Sequence, residues 1–132
     1  MENIKSVLTL QNLVFDTIQF NRKGFKRDNE LKFRFQVQIG KSNENNYKVT
    51  LILTGDKQGE YDILISLSGF FKIEGQNNLE DKVSQDLINK NAVAIIMPYL
   101  RSELTLLTAQ PGTESVVLPP FNINKILEQQ QE

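Results

Sequence analysis

The sequence predicts an α+β domain: a four-stranded antiparallel sheet, then a long helix and a short C-terminal helix. Three observations carry this expectation. Apolar–polar alternation dominates the first half of the chain, and apolar residues spaced by three and four dominate the second. The segments between the alternating runs are short and rich in Gly, Ser and Asn. With 132 residues, 39% of them hydrophobic, the chain can build one core and is too short for two. One domain over residues 1–132 is therefore expected.

The clearest strand covers about 31–40. Leu31, Phe33, Phe35, Val37 and Ile39 share one face, while Lys32, Arg34, Gln36 and Gln38 share the other, the pattern of a half-buried strand. A polar turn from Gly40 to Asn46 leads into a strand over about 46–55, with Tyr47, Val49, Leu51 and Leu53 opposed to Lys48, Thr50 and Thr54. Gly55 to Gly59 reads as the next turn. Tyr61, Ile63, Ile65, Leu67, Gly69, Phe71 and Ile73 then mark a strand over about 60–74. Short links between such strands imply an antiparallel meander.

The first strand, about 6–20, is less regular. Leu8 and Leu10 lie in one phase and continue into Val14, Ile18 and Phe20, whereas Leu13 and Phe15 lie in the other. Apolar residues in both phases imply a bulge, or burial on both sides with another subunit supplying the second cover. Asn21 to Asn29 forms a polar crossover holding Phe25 and the cations Arg22, Lys23, Lys26 and Arg27. No aromatic-rich motif accompanies that cluster, so it reads as a solvated loop rather than a nucleic-acid patch.

Beyond Asn78 the period changes. Residues 79–89 read as a helical lead-in, and Val93, Ile96, Met97, Leu100, Leu104 and Leu107 stripe a main helix over about 91–109. Pro98 either starts that helix in its first turn or kinks a longer one. Gln110-Pro111-Gly112 ends it, and Ser115 to Phe121 is extended. Asn122 or Asn124 caps a last helix over about 122–129 that contains Ile123, Ile126 and Leu127.

The missing residue types exclude most catalysis. With 15 Lys and Arg against 16 Asp and Glu the formal charge is −1, so no general attraction to nucleic acid or anionic membrane is expected. Histidine and cysteine are absent, which removes the triads, thiolate chemistry and the usual zinc sites. Glu60 and Asp62 alternate along the fourth strand and read as a solvated strand edge, not as a catalytic pair. No cofactor, metal or catalytic residue is expected, and the chain does not read as an enzyme. No apolar run approaches the roughly 18 residues needed to span a bilayer. A soluble, cytoplasmic protein without membrane insertion is the expectation.

Three motifs add a resemblance. Ser68-Gly69-Phe70-Phe71-Lys72-Ile73-Glu74-Gly75 is similar to the glycine–aromatic end of strand four in the SecB export chaperones. Asn91 to Glu103, centred on Met97-Pro98-Tyr99-Leu100-Arg101, resembles their aromatic-Pro-Tyr-x-Arg helix start. Leu118-Pro119-Pro120-Phe121-Asn122-Ile123 to Leu127 resembles their proline-containing link into the last helix. With Tyr47 in strand three, the resemblance runs from about Val7 to Leu127 and keeps the order of all elements.

That resemblance implies a homotetramer, a dimer of dimers with sheets outside and long helices between subunits. It implies an ATP-independent holdase that wraps unfolded or precursor polypeptides around apolar grooves. Carried over by position, the client groove would use Leu31, Phe33 and Phe35, with Phe20 and Phe25 from the crossover side and Phe121, Ile123, Ile126 and Leu127 from the terminal segment. The competing reading places these residues in the core, above all Phe33 and Phe35. Tyr99, Leu100, Arg101 and Leu104 would serve helix packing or subunit contacts. In the family an acidic patch on the outer sheet face contacts the motor SecA, but the corresponding positions here are Thr17, Asn21 and Leu64, with only Asp62 close by. The partner is then SecA in export or one dedicated client such as an antitoxin. A module that binds a small apolar ligand or serves as an assembly subunit, with no chaperone activity, is the alternative.

Overall fold

The computed structural model describes residues 7–26, 29–43, 46–74 and 81–118. Five elements follow in order: β1 (Val7–Arg22), β2 (Leu31–Asn43), β3 (Asn46–Lys57), β4 (Tyr61–Glu74) and α1 (Asp81–Thr108). The strands form one antiparallel sheet in the order β1-β4-β3-β2. The expected meander is β2-β3-β4, and β1 adds to the far side of β4. The chain must therefore cross from one sheet edge to the other between β1 and β2, a Greek-key connection.

That crossing is clamped to the β3–β4 turn. Lys23 and Gly24 N–H donate to the Glu60 carbonyl at 2.8 and 3.2 Å, and Lys26 N–H donates to the Gly59 carbonyl at 3.3 Å. A Cβ on Gly24 would stand 2.6 Å from that Gly59 oxygen, so only glycine lets the two backbones approach so closely. The turn lies slightly later than Gly55–Gly59. Gly55 sits within β3, and Glu60 N–H closes the turn on the Lys57 carbonyl at 2.9 Å, with Gly59 at φ +80°.

The alternation of β3 and β4 decides where the core lies. Tyr47, Val49, Leu51 and Leu53 with Tyr61, Ile63, Ile65, Leu67 and Phe71 are all buried on one face, which α1 covers. The irregular β1 joins that face through two single-residue bulges. Register slips once between Leu10 and Asn12 and again between Phe15 and Thr17, leaving Gln11 and Asp16 as the extra residues. Each slip reverses the strand's phase. Leu10 thus faces Phe71, Leu13 faces Gly69, Phe15 faces Leu67, Ile18 faces Ile65 and Phe20 faces Ile63, all on the core side. Val14 alone of the apolar set is turned to the outer face, opposite Ser68.

The helices expected over 79–89 and 91–109 form a single 28-residue helix, α1. Pro98 lies inside it, on the exposed side. Ala94, whose carbonyl loses its helical donor to the proline ring, is exposed too, and water can satisfy that group. At about 1.5 Å per residue the helix is about 42 Å long, close to the length of the strands beneath it. Ala92, Val93, Ile96, Met97, Leu100 and Leu104 are its buried stripe. Helix and sheet are in tight contact at Gly69, where an added Cβ would meet Ile96 Cγ2 at 2.9 Å and Phe71 Cε1 at 2.8 Å.

After α1, Pro111 and Gly112 (φ +81°) occupy the middle of a turn closed by Thr113 N–H on the Gln110 carbonyl at 3.1 Å. The next residues run back along the helix on a polar ladder. Val116 N–H donates to Thr108 Oγ1 at 2.8 Å, Thr105 Oγ1 donates to the Val116 carbonyl at 2.8 Å, and Arg101 Nη2 donates to the Leu118 carbonyl at 2.8 Å. The C-terminal helix expected over 122–129 lies outside the described residues.

Replacing Gly69 with Ala forces Ile96 and Phe71 apart in a packed core, and overpacking of this kind costs about 1–3 kcal/mol. Denaturant unfolding of Gly69→Ala is expected to show a lower midpoint with an unchanged m-value.

Candidate functional site

Pairing across the sheet assembles the inner face in rows. One row reads Phe20, Ile63, Gly55, Phe33, and the next reads Ile18, Ile65, Leu53, Phe35. Val37 pairs with Leu51 and Ile39 with Val49, so the odd positions of β2 continue the core surface outward. Helix α1 packs on β1, β3 and β4 and leaves β2 largely beside its footprint. The result is an apolar margin of Leu31, Phe33, Phe35, Val37 and Ile39, half-buried except for Phe33, which is 38% exposed.

Five of the residues expected to bind clients occupy that face or its rim. Phe33 and Phe35 pack edge to face, with centroids 5.8 Å apart at 78°. Leu31 is half-buried and leans over Gly55, where an added Cβ would lie in van der Waals contact with Leu31 Cδ1 at 3.4 Å. Phe20 stacks on the buried ring of Tyr61 at 4.7 Å. Phe25, in the crossover, is 74% exposed, and its ring centre lies 5.1 Å from the Arg22 guanidinium carbon. Phe20 and Phe33 share a row at opposite edges of the sheet, so they are joined through the buried Ile63 and Gly55. Phe121, Ile123, Ile126 and Leu127 lie outside the described residues.

The four positions expected in packing or subunit contacts separate by role. Leu100 and Leu104 are fully buried against the chain's own sheet. Arg101 fastens the post-helix segment through Leu118. Tyr99 is 48% exposed on the other side of α1, near the exposed Leu106. A shallow groove beside them is lined by Pro98, Arg101, Ser102, Thr105, Leu106, Val117 and Leu118.

No local pattern in the chain signals the charged cluster at this end of the sheet. Glu60, expected on a solvated edge with Asp62, is instead fully buried in the β3–β4 turn. Lys57 Nζ stands 3.0 Å from one of its oxygens and Arg22 Nη1 stands 3.6 Å from the other. Burial cannot be left uncompensated for a carboxylate, and these two cations provide the compensation. The neighbouring Tyr61 hydroxyl has its pKa raised, first by burial and then by the Glu60 charge. Among the described residues no three carboxylates converge as metal ligands, and no helix is long and apolar enough to cross a membrane.

Comparison with known proteins decides the family. The family model described as "Preprotein translocase subunit SecB" matches residues 7–132. The chain belongs to the SecB family. A relative in Methanocaldococcus jannaschii, the uncharacterized protein MJ0357, is 31% identical over 130 residues, covering 90% of this chain and 81% of that one. The protein-export protein SecB of Alkalilimnicola ehrlichii is 32% identical over 90 residues, which span 65% of this chain and 46% of that protein. Among solved structures, the SecB-like chaperone Rv1957 of Mycobacterium tuberculosis, in complex with a ChAD peptide from the HigA1 antitoxin, superposes with a TM-score of 0.72. It shares 10% identity, with 87% of this chain and 88% of that chain covered, a likeness of fold.

In this SecB-family chain the three positions of the outer sheet face where the resemblance implied acids carry no charge. Thr17 pairs with Ser66, Gln19 with Leu64 and Asn21 with Asp62, which places all three positions on that face. Asp62 is itself engaged: Asn21 Nδ2 donates to it at 2.9 Å and Lys23 Nζ lies 3.0 Å away. Its pKa is lowered, first by the Asn21 hydrogen bond and then by the one from Lys23. A depressed carboxylate keeps its contacts above the usual aspartate range and loses them as pH falls through the folded value. A carbon-13 NMR titration of the Asp62 carboxyl is expected to give a midpoint below that range, and Asn21→Ala should move it upward.

Proposed function

We propose that this SecB-family chain is an ATP-independent holdase chaperone acting in the cytoplasm. It binds unfolded or precursor polypeptides along the β2 margin and the crossover and keeps them non-native, with no catalytic step, cofactor or metal. One observation carries the reading: an apolar strip from Leu31 to Ile39 runs beside α1 with Phe33 partly exposed, on the face that elsewhere forms the core. At about 3.3 Å per residue that strip is about 26 Å long, enough to lie along an extended client segment. Apolar contact is worth roughly 25 cal/mol per Å² whatever the client's sequence, which suits a surface that must accept many chains. Phe25 and the terminal positions 121–127 would add further contacts, and several modest contacts on one client gain from effective concentration.

Assembly as a dimer of dimers through the helices fits the exposed Tyr99 and Leu106 of α1 and the exposed Val117 beside them. The outer face favours a dedicated client over docking on SecA, because the two acids near those positions, Asp62 and its cross-strand neighbour Asp56, both lie on Lys23, at 3.0 and 3.8 Å. An antitoxin is a client of that kind, by analogy with the peptide bound to the Mycobacterium tuberculosis chaperone.

Suppression of the aggregation of an unrelated unfolded protein, without ATP and near one chaperone assembly per client, is the direct test. Phe33→Asp should raise the Kd for an unfolded client about tenfold or more, since one buried Phe side chain is worth about 1.5–3 kcal/mol. Its thermal unfolding and assembly size should match the parent. Failure with several unrelated clients would leave the narrow binding module as the better reading, and an unfolded variant would place Phe33 in the core.

A further inference from the structure

One guanidinium joins three segments that are distant in sequence. Arg22 is the last residue of β1, and its side chain is three-quarters covered. Nη1 donates to the Gly24 carbonyl at 3.2 Å, inside the crossover, and stands 3.6 Å from Glu60 in the β3–β4 turn. Nη2 donates to Thr113 Oγ1 and, at 3.5 Å, to the Gly112 carbonyl, both in the turn that follows α1. The same group lies over the rings of Phe20 and Phe25, at 5.3 and 5.1 Å.

The charge of Glu60 does not explain this arrangement, because Lys57 is nearer to it than Arg22 is, at 3.0 against 3.6 Å. A lysine at position 22 could supply the same charge. What only the planar fork of arginine provides is simultaneous contact with the crossover on one side and the helix exit on the other. Thr113 in turn begins the segment that hangs on Thr108, Thr105 and Arg101 through residue 118. One side chain therefore touches both Phe25 and the turn from which residues 113–118 run back along the helix.

We infer that Arg22 is a positioning residue that couples the crossover to the helix exit. A polypeptide that displaces Phe25 from the guanidinium loosens the turn at 110–113 and the segment beyond it, and loosening that turn frees the crossover in the same measure. Coupling between two sites is reciprocal by thermodynamic necessity. The inference rests on the holdase reading only for the identity of what displaces Phe25; the coupling itself belongs to the chain alone.

Amide hydrogen exchange on the intact chain tests it without any client. The Lys23, Gly24 and Lys26 amides report on the crossover, and those of Thr113 and Val116 report on the exit, since each is hydrogen-bonded. Phe25→Ala, an exposed position, is expected to speed exchange at residues 113 and 116 about fivefold or more, and Thr113→Val to do the same at 23, 24 and 26. Arg22→Lys should speed both sets while keeping the unfolding midpoint closer to the parent than Arg22→Met does. If Phe25→Ala and Thr113→Val each alter only their own segment, the coupling is overturned, whether or not the protein binds clients. In a second arm, reduced and carboxymethylated α-lactalbumin as the unfolded probe should speed exchange at 113 and 116 in the parent and not in Thr113→Val. Absence of probe binding to the parent would count against the holdase reading and leave the client-free result to decide the coupling.

Discussion

One helix is narrower than four strands, and the rest of the molecule depends on that mismatch. Strands stand about 4.8 Å apart, so the sheet is about 14 Å from first to last axis, while a helix with its side chains is about 10–12 Å across. Helix α1 seals β3 and β4 and reaches β1, and the inner face of β2 is left at its side. Exposure along a row follows distance from the helix rather than residue type. Ile65 and Leu53 are buried under α1, whereas Phe35 and Ile18, in the same row and just as apolar, are half-buried and exposed. The apolar margin is thus a geometric consequence of covering a four-stranded sheet with one helix.

Most of this was legible because it is periodic. The alternation of β2, β3 and β4 named both the core face and the continuing strip on β2, and a single strip from Leu31 to Ile39 was visible even though only its first three residues were assigned to the groove. β1 was harder. Its two phases allowed a bulge or burial on both sides, and deciding between them needs the register, which depends on the partner strand. Two slips of one residue bring Leu8, Leu10, Leu13, Phe15, Ile18 and Phe20 to one face. The long helix was split at its N-terminal half because the apolar stripe weakens there and Pro98 is an interruption in sequence terms. In the fold that proline lies on the wet side, where its missing donor is inexpensive.

The polar contacts were illegible for a different reason. Glu60 looked like an edge residue by alternation, yet it is buried against Lys57 at 3.0 Å and Arg22 at 3.6 Å, the second thirty-eight positions away in sequence. Arg22 itself looked like one of four loop cations. No local pattern distinguishes an arginine that reaches Thr113 from one that points into water. The same holds for Asp16: it is the extra residue of the second bulge, and its carboxylate accepts from Ser68 at 2.5 Å, while Ser68 also bonds Thr50 at 2.9 Å. Long-range side-chain pairing carries no period, so sequence reading sees the residues and not the bond.

Those invisible contacts bear on how the visible surface works. The Asp16–Ser68–Thr50 chain ties β1, β4 and β3 together on the outer face, and the β2–β3 ladder from Leu31 to Asn43 carries the inner margin on that sheet. A surface that does not have to be ordered on binding avoids the conformational cost that a loop would impose. The crossover is the opposite case. It is held to the β3–β4 turn by backbone bonds from Lys23, Gly24 and Lys26, and its exposed ring rests on one guanidinium. A rigid strip gives breadth of recognition through unspecific apolar contact, and a tethered loop beside it gives the place where occupancy can be felt elsewhere in the chain. The two properties need different parts of the structure, and here they meet in the row that runs from Phe33 through Gly55 and Ile63 to Phe20, two residues from Arg22.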